Sequence, residues 1–406
     1  MTSKSVPAIQ IRLIESDAEF AQLATAWEQL QRDAVVTSVF ETFDWQHLWW
    51  RNYGKGRSLK LLVASVDGAL AGILPLYAET VPIAGAPVHQ LRFVGTGGDT
   101  SPDDLGPVLA KGREAEVAQA LADEVLRIPD WDVMLLDDMQ PENAFVAAMS
   151  EKAAAARLAH RAGRSERITF LSLPATFDGW LKSLSGDRRY RVRNIRKKVN
   201  AAHPTRFIVW QDAATLDEGI ATLIRLHIKR WGGTTEHRSF ASPAYIDFHT
   251  AVMQACFKQD RLRLYGLELS GTIVAMFYFY KFRDRVYLMQ SGYDPEHSRS
   301  KPGLVLLGYI VEHAIGEGHA VLDFLRGDHQ YKDELATGER ETVYLRVFRP
   351  TLGAHLYRTR RIYLPALKAR VLRELPALKA RLRELVPARF RPSQPEPSPP
   401  ASPDDR

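Results

Sequence analysis

VYLMQSGYDPEHSRSKPGLVLLGYIVEHAIGEGHAVLDFLRGDHQYK, residues 286–332, carries more of the chain's meaning than any other stretch. Its spacing predicts a strand, a loop, a helix, a second strand and a final loop. The first strand is an aromatic and β-branched run that ends at Gly292, and Asp294-Pro295 starts a polar loop. Pro302 and Gly303 open the helix. Its apolar positions Leu304, Leu307, Ile310, Val311 and Ile315 recur at helical spacing until Gly316 and Gly318 stop it. The second strand is AVLDFL. A helix entered through glycine between two strands presents backbone N–H groups under the positive end of its dipole. Such an end is an anion site, most simply for a diphosphate.

Outward from this segment, 406 residues exceed what one core usually organises, so two domains and a tail are expected. An apolar share of 45% supports folded cores. The N-terminal stretch MTSKSVPAIQIRLIESDAEF has no apolar signal region, and no run approaches the roughly 18 apolar residues that cross a bilayer. The expected location is cytoplasmic. Cys256 is the only cysteine, which excludes an internal disulfide and a cysteine-based zinc site. Within YIDFHTAVMQACF it reads as a buried small apolar residue. The histidines show no HExxH or paired-ligand spacing, so no metal is expected.

The formal charge of +6 is unevenly placed, with basic residues concentrated in Arg188 to Lys198 and in Arg358 to Arg391. Clustering of this kind implies anionic partners at two places. The first cluster, SGDRRYRVRNIRKKVNAA, predicts a basic helix suited to a diphosphate-linked lipid, a polyanionic saccharide or the 3′-phosphate of CoA. No nucleic-acid fold signature accompanies it, so no nucleic-acid partner is expected.

Residues 1–165 predict one α/β unit, with the helix SDAEFAQLATAWEQL, a hairpin turning at Asp67-Gly68, the helix GREAEVAQALADEVLRI and the strand WDVMLLDDM. Residues 166–352 repeat that order, with the helix LDEGIATLIRLHIKRW, a hairpin turning at Ser270-Gly271, and the decisive segment itself. The pattern reads as a tandem duplication of one α+β, mixed-sheet fold. Residues 353–391 predict a basic amphipathic helix interrupted near Pro376, and residues 392–406 a Pro- and Ser-rich disordered tail. Two further features stand out in the first unit. The loop GTGGDTSPDDLGP, residues 95–107, offers Asp103 and Asp104 toward an acceptor amine or sugar, with a solvated loop as the plainer reading. Trp45, Trp49 and Trp50 form an aromatic stripe that reads chiefly as core.

SGYDPEHSRSKPGLVLL followed by DFLRGDHQYK resembles the acetyl-CoA-binding half of the GNAT-type acyltransferases. More closely it resembles the cellulose-biosynthesis or exopolysaccharide-associated acetyltransferases, which are related to the Fem-type aminoacyl transferases. FETFDWQHLWWRNYG, RRYRVRNIRKK and LHIKRWGG match the same family's aromatic-rich helix, basic segment and Arg-Trp helix end. The usual signature of Arg or Gln, two residues, Gly, one residue, Gly or Ala is present only as Ser300-Lys301-Pro302-Gly303-Leu304-Val305. That departure leaves the phosphate-bearing donor open.

The resemblance implies two GNAT-like domains, the second with a full donor site for acetyl-CoA or another acyl-CoA. An amine or hydroxyl then attacks the acyl carbonyl directly, in a cleft between two splayed parallel strands. Met289, Gln290 and Ser291 would supply backbone donors to the oxyanion, and Ser300, Lys301, Gly303 and Leu304 would cradle the diphosphate. Asp323 is the candidate base or base-orienter, Tyr331 the candidate acid toward the thiolate, and Lys332 an electrostatic clamp; Asp323 and Arg326 as a structural ion pair is the plainer reading. Arg230 and Trp231, with Asp103 and Asp104, are the candidate acceptor-binding residues. The leading expectation is transfer to a sugar or envelope precursor, including a lipid-linked saccharide, with peripheral membrane contact through the C-terminal helix. The alternatives are a Fem-type enzyme using charged tRNA, or a non-catalytic scaffold of a polysaccharide synthase.

Overall fold

Two tight turns with left-handed backbone set the architecture. Asp67 and Gly68 have φ of 50° and 80°, and Ser270 and Gly271 have φ of 50° and 85°. Two successive residues in this region match the right-handed twist of the strands they join. Each turn therefore seeds a hairpin where the sequence predicts one.

The computed structural model describes residues 8–231, 239–327 and 330–385. The first half runs β1 (Ile9–Ile14), α1 (Asp17–Gln22), α2 (Ala24–Asp33), α3 (Phe43–Tyr53), β2 (Ser58–Val66), β3 (Ala69–Ile83), β4 (Ala86–Phe93), β5 (Val108–Leu109), α4 (Glu114–Arg127), β6 (Val133–Met139), α5 (Ala144–Ala155) and β7 (Ala159–Ser172). The second runs α6 (Phe177–Ser183), α7 (Gly186–Ala202), β8 (Thr205–Val209), α8 (Leu216–Trp231), α9 (Pro243–Lys258), β9 (Leu262–Leu269), β10 (Thr272–Phe282), β11 (Arg285–Tyr293), α10 (Pro302–Gly316), β12 (Val321–Asp323), α11 (Gln330–Leu335) and β13 (Gly338–Phe348). Beyond it lie α12 (Leu352–Tyr357), a π-helical turn at Arg358–Tyr363 and α13 (Leu364–Leu385). The last helix runs through Pro376, where the sequence suggested an interruption.

The strand order is β1-β2-β3-β4-β6-β13-β7-β12-β11-β10-β9-β8. Read from either end it has the same plan: an antiparallel meander, then a strand joined in parallel through a helix. β4 pairs β6 in parallel, as β11 pairs β12. At the centre the halves exchange their last strands. β13, from the second half, pairs β6, whereas β7, from the first, pairs β12, and β7 and β13 pair with each other from Ala159–Phe348 to Phe170–Gly338. The sequence boundary at residue 165 thus falls inside β7.

Within each half the sheet is covered on both faces, so β3 and β10 are buried along continuous runs, whereas β7 at the centre is largely exposed from Ala159 to Arg167. Along β10, Met276, Tyr278 and Tyr280 join a core with Trp45, Phe248 and the helices α3, α8 and α9. The alternate residues Ala275, Phe277 and Phe279 join a second core under α6, α7 and α10. The aromatic stripe of α3 is core as expected, with Trp45 and Trp49 buried. Cys256 is buried as well, and burial pushes its thiol up.

Gly292 allows α8 to press against β11. A Cβ at this position would lie 2.3 Å from the His227 nitrogen and 2.5 Å from the Leu226 carbonyl carbon, both backbone atoms that cannot turn aside. Overpacking of this kind typically costs about 1–3 kcal/mol. Gly292→Ala is therefore expected to lower unfolding stability by about that amount in urea titration; an unchanged midpoint would mean that α8 does not rest on β11 as described.

Candidate functional site

The parallel pairing of β11 and β12 covers only Arg285–Tyr287 against Val321–Asp323. Beyond it the strands part: Phe324 turns its N–H to Thr169, and Leu325 takes φ 54°, while β11 continues along β10. Within that stretch Leu288 pairs Phe279 and Gln290 pairs Tyr278, leaving Met289 as the extra residue of a bulge. A bulge frees a backbone group from the ladder and re-aims neighbouring side chains. The gap is a cleft of about 350 Å³, whose walls include Trp45 and Asp103 from the first half and Tyr245, Gln290 and Lys332 from the second.

A chain of buried ion pairs fixes the floor of this cleft. Asp323 has no exposed surface; one carboxylate oxygen accepts from the Leu325 N–H (2.9 Å), the other from Arg285 (2.8 Å) and Arg340 (3.0 Å). Arg340 also donates to Asp104 at 2.7 Å. Alongside, Asp103 receives both the backbone N–H of Arg326 (2.9 Å) and its Nε (2.7 Å), and the Arg326 guanidinium reaches Asp138. The carbonyls of Leu325 and Arg326 then accept from Lys332 Nζ at 3.3 and 2.7 Å. The left-handed Leu325 is thus clamped from both sides, as a sparsely populated backbone region requires.

These contacts correct three expectations. Asp323 does not present a free carboxylate to a molecule in the cleft, because it is sealed and engaged by two arginines, and its partners Arg285, Arg340 and the Leu325 N–H include no base for it to orient. Asp103 and Asp104 do not face an acceptor freely, nor are they solvated: both are buried and bound to Arg326 and Arg340. Arg326 pairs with Asp103 and Asp138, and Asp323 pairs with Arg285 and Arg340, so the expected Asp323–Arg326 pair is replaced by two others.

A second, smaller cavity of about 170 Å³ opens at the start of α10, lined by Arg230, Phe277, Tyr293, Lys301, Gly303 and Leu304. Lys301 sits at the N-cap with φ 46° and no side-chain cap. A Cβ on Gly303 would meet nothing nearer than the Phe277 ring at 3.9 Å, so glycine here keeps the cavity open without being sterically required. Arg230 lies over the rings of Trp231 and Tyr293 (4.2 and 4.7 Å) and donates to Ser291 Oγ at 3.2 Å. That bond lies between the two cavities. The expected donor residues therefore divide. Lys301, Gly303 and Leu304 line the helix-end cavity; Met289, Gln290 and Ser291 line the larger cleft, as does Trp231; Ser300 ends the preceding 3-10 turn. The side chain of Tyr331 lies outside the described residues.

Sequence reasoning missed Tyr245, His249 and His227. The Tyr245 hydroxyl accepts from Gln290 at 2.9 Å, and burial raises it to about 12. His249 lies tilted against Tyr245 with ring centroids 4.1 Å apart and faces the Tyr278 hydroxyl at 3.4 Å; burial holds it neutral, lowered to about 3. His227 Nδ1 lies 3.1 Å from the Ser291 carbonyl, which makes that nitrogen the donor. The signal was present: both histidines fall on the apolar stripes of their helices, beside Leu223 and Leu226 in α8 and beside Tyr245 and Val252 in α9. Among the described residues no group of three His, Cys, Asp or Glu side chains is arranged to hold a metal.

Residues 186–333 match the family model described as an acetyltransferase (GNAT) domain. No curated protein matches the chain in sequence. Solved structures of similar fold include FemX, at 12% identity over 86% of this chain and 99% of that one, TM-score 0.59. L-PGS from Bacillus licheniformis aligns at 11% identity over 83% of this chain and 95% of its own, TM-score 0.51. A conserved protein of unknown function from Bacteroides thetaiotaomicron aligns at 10% identity over 83% and 100%, TM-score 0.51. At such identities the likeness establishes the fold.

One carboxylate of the floor should be visible in stability. Burial raises Asp104 to about 7, opposed by Arg340 and reinforced by the nearby Asp323 and Asp103 charges. With the folded value above the usual carboxylate value of about 4, the folded protein holds an extra proton between the two. That stabilising contribution is complete below about pH 4 and is lost as pH rises through about 7. Urea unfolding between about pH 5 and pH 8 should therefore show wild type losing more stability than Asp104→Asn; parallel losses would place the titration elsewhere.

Proposed function

We propose, from the premise that residues 186–333 are a GNAT acetyltransferase domain, that this chain transfers an acyl group from a CoA thioester to an amine or hydroxyl, on a sugar or envelope precursor. The observation that carries the reading is the pair of adjoining cavities where β11 and β12 part, one at an open helix N-terminus and one between the two halves. The helix end suits a diphosphate, with the Gly303 N–H and the Lys301 and Arg230 cations around it. The bulge at Met289 supplies a backbone donor for the developing oxyanion.

In the step itself the acceptor's nitrogen or oxygen forms a bond to the acyl carbon, the carbon–sulfur bond breaks, and the proton the acceptor gives up balances the one the departing thiolate takes up. Tyr331 is assigned that proton on the family resemblance. Lys332, tethered to the carbonyls of Leu325 and Arg326, adds positive charge at the cleft floor. Gln290, Thr100 and Ser101, which line the cleft, are hydrogen-bonding groups suited to a polyol or amide.

A second reading, a charged tRNA as donor, is favoured by one feature. Helix α7, which begins the GNAT domain, carries Arg188, Lys197 and Lys198 without carboxylate partners among the described residues. Calorimetry with acetyl-CoA separates the two. The wild-type chain should bind, and Gly303→Val, whose added methyls intrude on the helix-end cavity, should bind at least about tenfold more weakly while keeping its melting temperature. Absence of acetyl-CoA binding by wild type would favour the tRNA donor; unchanged affinity in a folded Gly303→Val protein would remove the helix end as the donor site.

A further inference from the structure

The C-terminal helix presents an apolar stripe to water. Leu364, Leu367, Val371 and Leu372 are 44%, 57%, 48% and 57% exposed, although side chains of this type are usually buried. Their three- and four-residue spacing, continued by Leu375, gathers them along one side of α13. The charges around the stripe are almost all of one sign. Residues 358–385 contain nine Lys or Arg and two Glu. Helical spacing sets Lys368 within the stripe between Leu375 and Leu372, Arg370 outside its opposite edge and Arg373 behind it. Long basic side chains in such positions lay their methylenes along an apolar surface and keep their charge in the polar layer.

The root of this helix is firm. Thr351 caps α12, and Ala354, Leu356, Tyr357 and Ile362 pack with Ile83, Val88, Val133 and Leu135 on the sheet. The stripe is therefore held at a fixed place on the molecule. Two copies zipped along it are disfavoured by the sequence. With Leu364, Val371, Leu378 and Leu385 as one seam position, the other falls on Leu367, Glu374 and Arg381 in one register and on Lys368, Leu375 and Leu382 in the other, so either seam carries buried charge. No helix among the described residues is long and apolar enough to cross a membrane.

We propose that α13 docks the protein on an anionic lipid surface, lying in the interface with its leucine stripe among the acyl chains and its basic residues on the headgroups. The inference stands apart from the transferase reading, since it uses no residue of either cavity. Co-sedimentation of the full chain with phosphatidylglycerol–phosphatidylcholine vesicles and with phosphatidylcholine vesicles tests it. The full chain should partition onto the anionic vesicles only. Binding should fall by at least ~10-fold in about 0.5 M salt, in Leu367→Asp/Leu372→Asp and in Lys368→Gln/Arg370→Gln/Arg373→Gln. These side chains are exposed, so circular dichroism and melting of the variants should match wild type. Equal partitioning onto both vesicle types, or full binding by either variant, would overturn the proposal. So would a concentration-dependent dimer that Leu367→Asp/Leu372→Asp dissolves, because the stripe would then be covered by a second copy.

Discussion

Asp323, Arg340 and Asp104 form the contact on which the cleft depends. A carboxylate with no exposure survives only where opposite charge and hydrogen bonds replace its lost water. Here Arg285 and Arg340 supply the charge, and the Leu325 N–H fills a remaining lone pair. Removing one member of such a set strands the others, at a cost of about 3–5 kcal/mol, so the chain is far more valuable as a constraint than as a net source of stability. What it constrains is the end of β12, and through it the carbonyls that hold Lys332.

The exchange of final strands explains why this floor is shared. Because β13 crosses to β6 and β7 to β12, Arg340 on β13 lies beside Asp104 of the first half and Asp323 of the second. Asp103 does the same for the Arg326 backbone. The first half thus contributes walls and clamps to a cleft whose bulged strand and helix N-terminus belong to the second. Neither half would build the cleft alone.

Local chemistry was legible in the sequence. The two hairpin turns, the helix opening at Pro302-Gly303, the α3 core stripe and the repeated order of elements all follow from short-range preferences. The helix-end cavity with Lys301 and Gly303 follows from them too. The strand exchange was not legible, because it is a choice between two long-range pairings of similar apolar strands. The roles of Asp103, Asp104 and Asp323 were missed for the same reason. Their partners Arg326, Arg340 and Arg285 are distant in sequence or lie on another strand, and an aspartate without a visible partner reads as solvated or reactive. His249 was overlooked because a histidine within YIDFHTAVMQACF breaks an otherwise ordinary apolar face, and only the fold reveals a cleft beside it.

The central claim is that the first half holds the loop after β12 in place. Hydrogen–deuterium exchange in Asp103→Asn measures it most directly, since Asp103 accepts the Arg326 N–H and Nε. The account predicts that amides of residues 325–327 exchange at least about tenfold faster than in wild type, as expected when a local hydrogen bond is lost. Those of β9 and β10 should keep their protection, showing that the sheet is intact. Unchanged protection at residues 325–327 would contradict the account, because the loop would then be held by the second half alone.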